Sequence, residues 1–172
     1  MKRDQLPVRA LQQPYIKLVI ILLAAALALL IWAPWSSGLY KAYSFSRTMT
    51  LTGTAAGQQE GLSEAAELYN NGHYSRARKI LQKAYMFNPQ NPQLTYYFAI
   101  TLIETGQGYE ARTLFKHLYE GTSAFKYDAV FYTALSFIKE DNKSGAISWL
   151  QKIPADDRNY AKAKELISKL HQ

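Results

Sequence analysis

Residues 70–92 read NNGHYSRARKILQKAYMFNPQNP, and this stretch carries the pattern that decides the fold. A glycine, Gly72, stands where a turn is needed, and apolar residues then recur at helical spacing. Ala77 comes first, Leu81 follows one turn later, and Ala84 lies three residues beyond it. This spacing predicts a turn followed by a helix with one apolar face.

The same pattern recurs twice downstream with a period of 34 and then 35 residues. The equivalent positions are Ala77, Ala111 and Ala146; Leu81, Phe115 and Leu150; Ala84, Leu118 and Ile153; and, before the turn, Ala65, Ala99 and Ala134. Gly72, Gly106 and Asp141 mark the turns. Each unit is therefore predicted to be a helix, a short turn and a second helix, with small residues where two helix axes approach closely.

On these residues the chain resembles the tetratricopeptide repeat family. The matching positions in residues 70–92 are Gly72, Tyr74, Ala77, Leu81, Ala84 and Pro89. The register predicts three repeats, at residues 62–91, 92–125 and 127–154, and a capping helix at about 159–170 within the C-terminal segment 155–172. The resemblance implies an all-α solenoid that binds a segment of a protein partner on the concave face lined by the first helix of each repeat.

A long apolar run precedes the repeats. Residues 18–33 read LVIILLAAALALLIWA without one polar side chain. The span 15–35 has the length of a helix that crosses a ~30 Å hydrocarbon core, with Trp32 and Trp35 at its far interface and Pro34 at its end. We therefore expect an all-α protein with a single transmembrane helix at 15–35 that contacts the lipid bilayer.

The alternative for this run is a cleaved secretory signal. The apolar run exceeds the usual ~7–15 residues of such a signal, and the flanking sequence WSSG is a poor cleavage site, so an uncleaved anchor is favoured. Four basic residues in segment 1–17, against Lys41 and Arg47 after the span, predict a cytoplasmic N-terminal segment 1–14. The chain is then a single-pass protein of the inner (plasma) membrane, with its repeat domain in the periplasm or otherwise outside the cytoplasm.

Residues 36–61 are predicted to be a linker. They are rich in Ser, Thr and Gly, so no long helix is expected. Apolar residues nevertheless recur through it at Leu39, Tyr40, Tyr43, Phe45, Met49 and Leu51. This pattern predicts that the linker docks onto another surface.

The first helices of the repeats carry a second apolar stripe. We predict that it forms a partner-binding groove, made of Tyr69, Tyr96, Ile100, Ile103, Phe131, Leu135 and Ile138. A helix that is apolar nearly all round is normally buried nearly all round, so this groove should be covered. Two accounts remain open: the linker or the capping helix covers it, or a partner segment does, and a partner could also displace the linker.

The sequence gives little indication of metal binding, nucleic-acid binding or catalysis. The chain has no cysteine, and His73, His117 and His171 are scattered without a second ligand at helical spacing, so no metal site and no cofactor are expected. The net charge of +7 is spread along the chain without a basic stripe, which disfavours nucleic acid. We expect no enzyme and no small-molecule substrate.

The leading hypothesis is a membrane-anchored scaffold or adaptor for protein partners in a bacterial envelope complex, and the alternative is a transmembrane signalling or regulatory protein.

Overall fold

The computed structural model describes residues 34–44, 48–50 and 56–172, with the backbone alone for 34–37 and 56–60. Eight helices and no strand occur in these residues, which confirms the all-helical class for the described part of the chain. The helices are α1 (Pro34–Tyr43), α2 (Ala56–Asn70), α3 (Tyr74–Phe87), α4 (Pro92–Glu104), α5 (Gly108–Glu120), α6 (Lys126–Lys139), α7 (Lys143–Leu150) and α8 (Tyr160–Leu170).

The helices from α2 to α7 form three consecutive pairs. The two helices of each pair pack together, and each pair packs onto the next through the contacts of α3 with α4 and of α5 with α6. The last helix, α8, packs against α7 and buries Ala163, Leu166 and Leu170. This arrangement is consistent with a tetratricopeptide solenoid.

The predicted turns share one backbone geometry. Gly72, Gly106 and Asp141 have φ angles of 76°, 83° and 57°, the left-handed region that ends a helix. After Gly72, the His73 N–H donates to the Leu68 carbonyl (2.7 Å), and the Gly72 N–H donates to that of Tyr69 (3.0 Å). The same two bonds recur at the other two turns, so all three pairs close through a Schellman motif.

Small residues stand where the helices approach most closely. Six alanines of the repeat pattern, Ala65, Ala77, Ala99, Ala111, Ala134 and Ala146, are all 0% exposed. The larger partners of the pattern, such as Phe115 at 0% and Leu150 at 1%, fill the space beside them. The residues that recur with the repeat period are thus the residues at which the helices pack together.

The first and second helices of each pair differ in burial. In α4 every residue from Leu94 to Ile103 is buried, whereas α5 buries only Ala111, Phe115 and Leu118. In α6 ten of the fourteen residues are buried, among them Asp128, whose carboxylate pairs with Arg158 and accepts a hydrogen bond from the Asn159 side chain (2.9 Å). An all-round buried helix needs neighbours on every side.

The segment before the repeats departs from the expected linker. Helix α1 lies within it, begins at Pro34, and so includes the last two residues of the predicted membrane span. Proline is well suited to the first position of a helix, because its missing N–H would have no intrahelical partner there. The rest of the predicted span, and the N-terminal segment 1–14, lie outside the described residues. None of the helices in residues 34–44 and 56–172 has the length and apolar character needed to cross a membrane.

The first repeat helix also starts earlier than the predicted residue 62. Helix α2 begins at Ala56 and runs through Gly57 and Gly61, which the sequence pattern interprets as a break. A glycine inside a helix costs only about 1 kcal/mol relative to alanine, and Gly61 is exposed with open space around it. The packing of Leu62, Ala65 and Leu68 stabilises the helix enough to offset that cost.

Candidate partner-binding groove

The seven residues of the predicted groove all lie in α2, α4 and α6. None of them is more than 3% exposed. They belong to one hydrophobic core that also contains three residues from before the repeats, Tyr40, Tyr43 and Met49. The apolar stripe is therefore covered, as its composition requires, and a partner can reach it only if the cover moves.

Tyr96 is a groove residue whose ring lies among side chains of α5 and α6. Its ring meets those of Phe115 in α5 (6.1 Å between centroids) and Tyr132 in α6 (5.8 Å), and it stacks on Phe125 (4.7 Å). Phe98, by contrast, packs on Tyr85 of α3 (5.4 Å). Tyr96 thus lies between the second and third repeats, where aromatic contacts hold successive repeats together.

Helix α1 contacts the C-terminal ends of α4 and α6. The hydroxyl of Tyr40 donates to Glu104 Oε1 (2.6 Å), and Lys139 Nζ lies 4.8 Å from the Tyr40 ring centroid. Lys139 also donates to the Ile103 carbonyl (2.9 Å) and pairs with Glu104 Oε2 (3.4 Å). The Tyr40 side chain therefore completes a polar cluster with one negative and one positive charge.

The second tyrosine of α1 reaches the capping helix. The hydroxyl of Tyr43 donates to Glu165 Oε1 (2.5 Å), and Lys169 lies 2.9 Å from the same carboxylate atom and 5.1 Å from the Tyr43 ring centroid. The hydrogen bonds from Tyr43 and Lys169 lower the pKa of Glu165 below its usual 4.5. Helix α1 is thus bonded to both the middle repeat and the last helix.

Residues 48–50, which have no regular secondary structure, bind the repeats through their backbone. The N–H of Met49 donates to Asn70 Oδ1 (2.7 Å), and Asn70 Nδ2 donates to the Met49 carbonyl (3.3 Å). The Tyr97 hydroxyl donates to the Thr48 carbonyl (3.2 Å), and Gln93 Nε2 donates to that of Thr50. We call residues 48–50 the resident segment, and Asn70, Gln93 and Tyr97 the clamp.

The resident segment buries one side chain. Met49 is 2% exposed, whereas Thr48 and Thr50 on either side of it are exposed. The clamp donates to and accepts from the peptide groups of this segment. The hydrogen bonds therefore hold the backbone of a segment that has one buried apolar side chain at its centre.

Two buried tyrosines have strongly shifted pKa values. Burial, followed by the negative charge of Glu104, raises the pKa of Tyr40 well above its usual 10.0. Burial also raises the pKa of Tyr69, and its hydroxyl has no hydrogen-bond partner among the described residues. The Tyr69 ring packs edge-on against Tyr97 of the clamp at 5.2 Å. A buried hydroxyl without a partner costs about 1–3 kcal/mol, so this site is incomplete.

The sequence pattern identified only part of this site. The linker was correctly expected to dock, through Tyr40, Tyr43 and Met49, while Phe45 and Leu51 lie outside the described residues. Gln93 and Tyr97 were missed, although their i, i+4 spacing places them on one face of α4. Their role depends on backbone atoms more than forty residues earlier in the chain, which no local pattern encodes.

The remaining surface offers less. Within the residues that the structure describes, no group of three or more metal-ligating side chains converges. Residues from α3, α4 and α5, including Phe98 and Tyr109, line a hollow of about 380 Å³. The basic residues Arg76, Lys79 and Lys83 of α3 are exposed.

No curated protein matches the chain. A family model does match part of it, over residues 68–120, which begin near the end of α2 and include α3, α4 and α5. The clamp lies within these residues. Repeats of this kind generally serve as scaffolds for protein–protein interaction, and the matching family is the tetratricopeptide repeat.

Proposed function

We propose that this chain is a membrane-anchored scaffold that holds a segment of a protein partner against α2, α4 and α6, within a bacterial envelope complex. The observation that carries the proposal is the clamp. Three side chains on two first helices bind the peptide groups of an extended segment, in the part of the chain that matches the tetratricopeptide repeat. A site of that chemistry suits a protein ligand and has no need of catalysis, so we propose a binding function and no enzymatic one.

The anchor is proposed from the apolar run at residues 18–33 and its basic N-terminal flank. The full chain should remain in the membrane pellet after alkaline carbonate extraction, and a chain lacking residues 15–35 should not. Protease added to intact spheroplasts should digest the repeat domain if that domain lies outside the cytoplasm. Complete protection of the domain would reverse the proposed orientation.

Partner capture can be tested by photocrosslinking in cells. Because the groove residues are buried, a charged substitution among them would unfold the domain, so the probe belongs at the rim of the site. A photoreactive residue at position 93 should capture a defined protein. The same residue at position 116, an exposed position of α5, is the matched control. Identical products at both positions, or none at either, would remove support for the groove.

A second function, transmembrane signalling, is favoured by one observation. The residues that bind the groove lie between the proposed anchor and the repeats, so a partner that displaced them would change the connection to the N-terminal segment. Deleting residues 2–13 separates the two functions. A scaffold that still inserts should keep its partner and its activity in cells, whereas a signalling protein should keep the partner and lose its cellular output.

A further inference from the structure

We propose that the resident segment is an intramolecular competitor for the clamp, and that the external ligand is an extended peptide segment with an apolar side chain that is not β-branched in the place of Met49. This inference rests on the proposed binding function and adds how the site is regulated and what it selects.

The contacts of the clamp are independent of the resident sequence. Asn70 pairs with both the N–H and the carbonyl of Met49, as a neighbouring β-strand would, and Gln93 and Tyr97 bind carbonyl groups. Every peptide in an extended conformation presents these groups. The clamp therefore accepts any extended segment whose central side chain fits the space that Met49 fills.

The central side chain provides the selectivity. Met49 is 2% exposed and makes the segment part of the core, while both threonines remain exposed. A flexible thioether fits an irregular space well, and a leucine has similar volume. A charged or β-branched residue at this position should be excluded.

The resident segment leaves the site unfinished. The Tyr69 hydroxyl is buried and has no partner among the described residues, although Tyr69 precedes Asn70 and contacts Tyr97. An external segment with a polar atom near its apolar side chain would satisfy this hydroxyl. Such a ligand would make one hydrogen bond more than the resident segment makes. This additional bond would favour displacement of the resident segment.

Displacement has to overcome the covalent attachment of the resident segment. Residues 51–55 join it to α2, and a short connection of this kind gives a local concentration on the order of mM. The apparent dissociation constant of an external peptide then equals the intrinsic constant divided by the fraction of molecules in which the clamp is free. Weakening the resident segment should strengthen peptide binding.

The test uses the full chain in detergent and the labelled peptide acetyl-SRTMTLT-amide, which copies residues 46–52. We expect it to bind the Met49→Asp chain at least about ten-fold more tightly than the unsubstituted chain, as measured by fluorescence anisotropy. Met49→Ala is a milder second variant, expected to give an intermediate gain. A peptide with Asp in place of its methionine should not bind.

The clamp is tested in the Met49→Asp background. Asn70→Ala removes two hydrogen bonds and should weaken peptide binding by about ten-fold, whereas Asn71→Ala, at the exposed neighbouring position, should leave it unchanged. Far-UV circular dichroism checks that each chain stays helical.

Several results would overturn the inference. Equal peptide affinity for the substituted and unsubstituted chains would do so, as would a lack of binding to both helical Met49 variants. A dimer of the unsubstituted chain that Met49→Asp converts to a monomer, seen by light scattering, would place the segment of a second copy in the clamp. If the peptide does not bind but position 93 still crosslinks to a cellular protein, only this inference is rejected. If the peptide binds but no cellular protein is crosslinked, the proposed function is rejected instead.

Discussion

The residue that ends each first helix shows how backbone geometry selects side chains. Gly72 and Gly106 have open space around the position of a Cβ, so their positive φ angle alone explains the preference for glycine. Asp141 adopts the same geometry with a side chain. The third turn is therefore the least favourable of the three.

Substituting Asp141 tests this reading. Asp141→Gly should raise the free energy of unfolding by about 0.5–1 kcal/mol, because glycine adopts the left-handed conformation without steric cost. Gly106→Ala is the matched reverse change and should lower it by about 1 kcal/mol. Urea denaturation followed by circular dichroism measures both, and a loss of stability in Asp141→Gly would contradict the argument.

Single residues also show where sequence interpretation succeeds. The turns and the six buried alanines could be predicted, since each depends on neighbours within one repeat and recurs with its period. The packing of Tyr96 could not be predicted from the sequence. Helical spacing separates the facets of α4 correctly, but only the assembled repeats show that the Tyr96 facet faces Phe115 and Tyr132.

Helix α1 is the element that the amino-acid composition predicts least well. Its serines and glycine indicate a loop, and its burial comes from Tyr40 and Tyr43, which contact residues 64 and 122 positions away. Tertiary contacts of that range override local propensity. The same contacts make the docking of α1 sensitive to pH.

The docking of α1 should weaken at alkaline pH. The pKa of Tyr40 is raised in the folded state, so its stabilising contribution is complete below the usual 10.0 and is lost as pH rises from there toward the folded value. Ionised Tyr40 would also repel Glu104. Stability measured between pH 9 and 11.5 should fall less steeply in Tyr40→Phe than in the unsubstituted chain, and equal slopes would show that Tyr40 does not contribute.

The hydrophobic core of the repeat domain includes residues that precede the repeats in the sequence. Tyr40, Tyr43 and Met49 cover a stripe that three repeats leave apolar, so the domain should not be soluble as the repeats alone. The family match predicts the solenoid and its general role, but it begins at residue 68 and does not include these covering residues.

A truncation tests the cover. A chain that begins at residue 56 should self-associate in size-exclusion chromatography and melt at a lower temperature than one that begins at residue 36. The longer fragment is the matched control, because it has the same repeats and the same capping helix. Identical elution and melting of the two fragments would show that the cover contributes little.

The burial of Met49 has a consequence for oxidation chemistry. Peroxide converts an accessible methionine to a polar sulfoxide, and Met86, which is 72% exposed, should react well before Met49 at 2%. Mass spectrometry of peroxide-treated protein should show this order, and a displacing peptide should speed the reaction of Met49 alone. A sulfoxide at Met49 no longer fits an apolar site, so one oxidation event would hold the clamp open until a reductase restores the thioether.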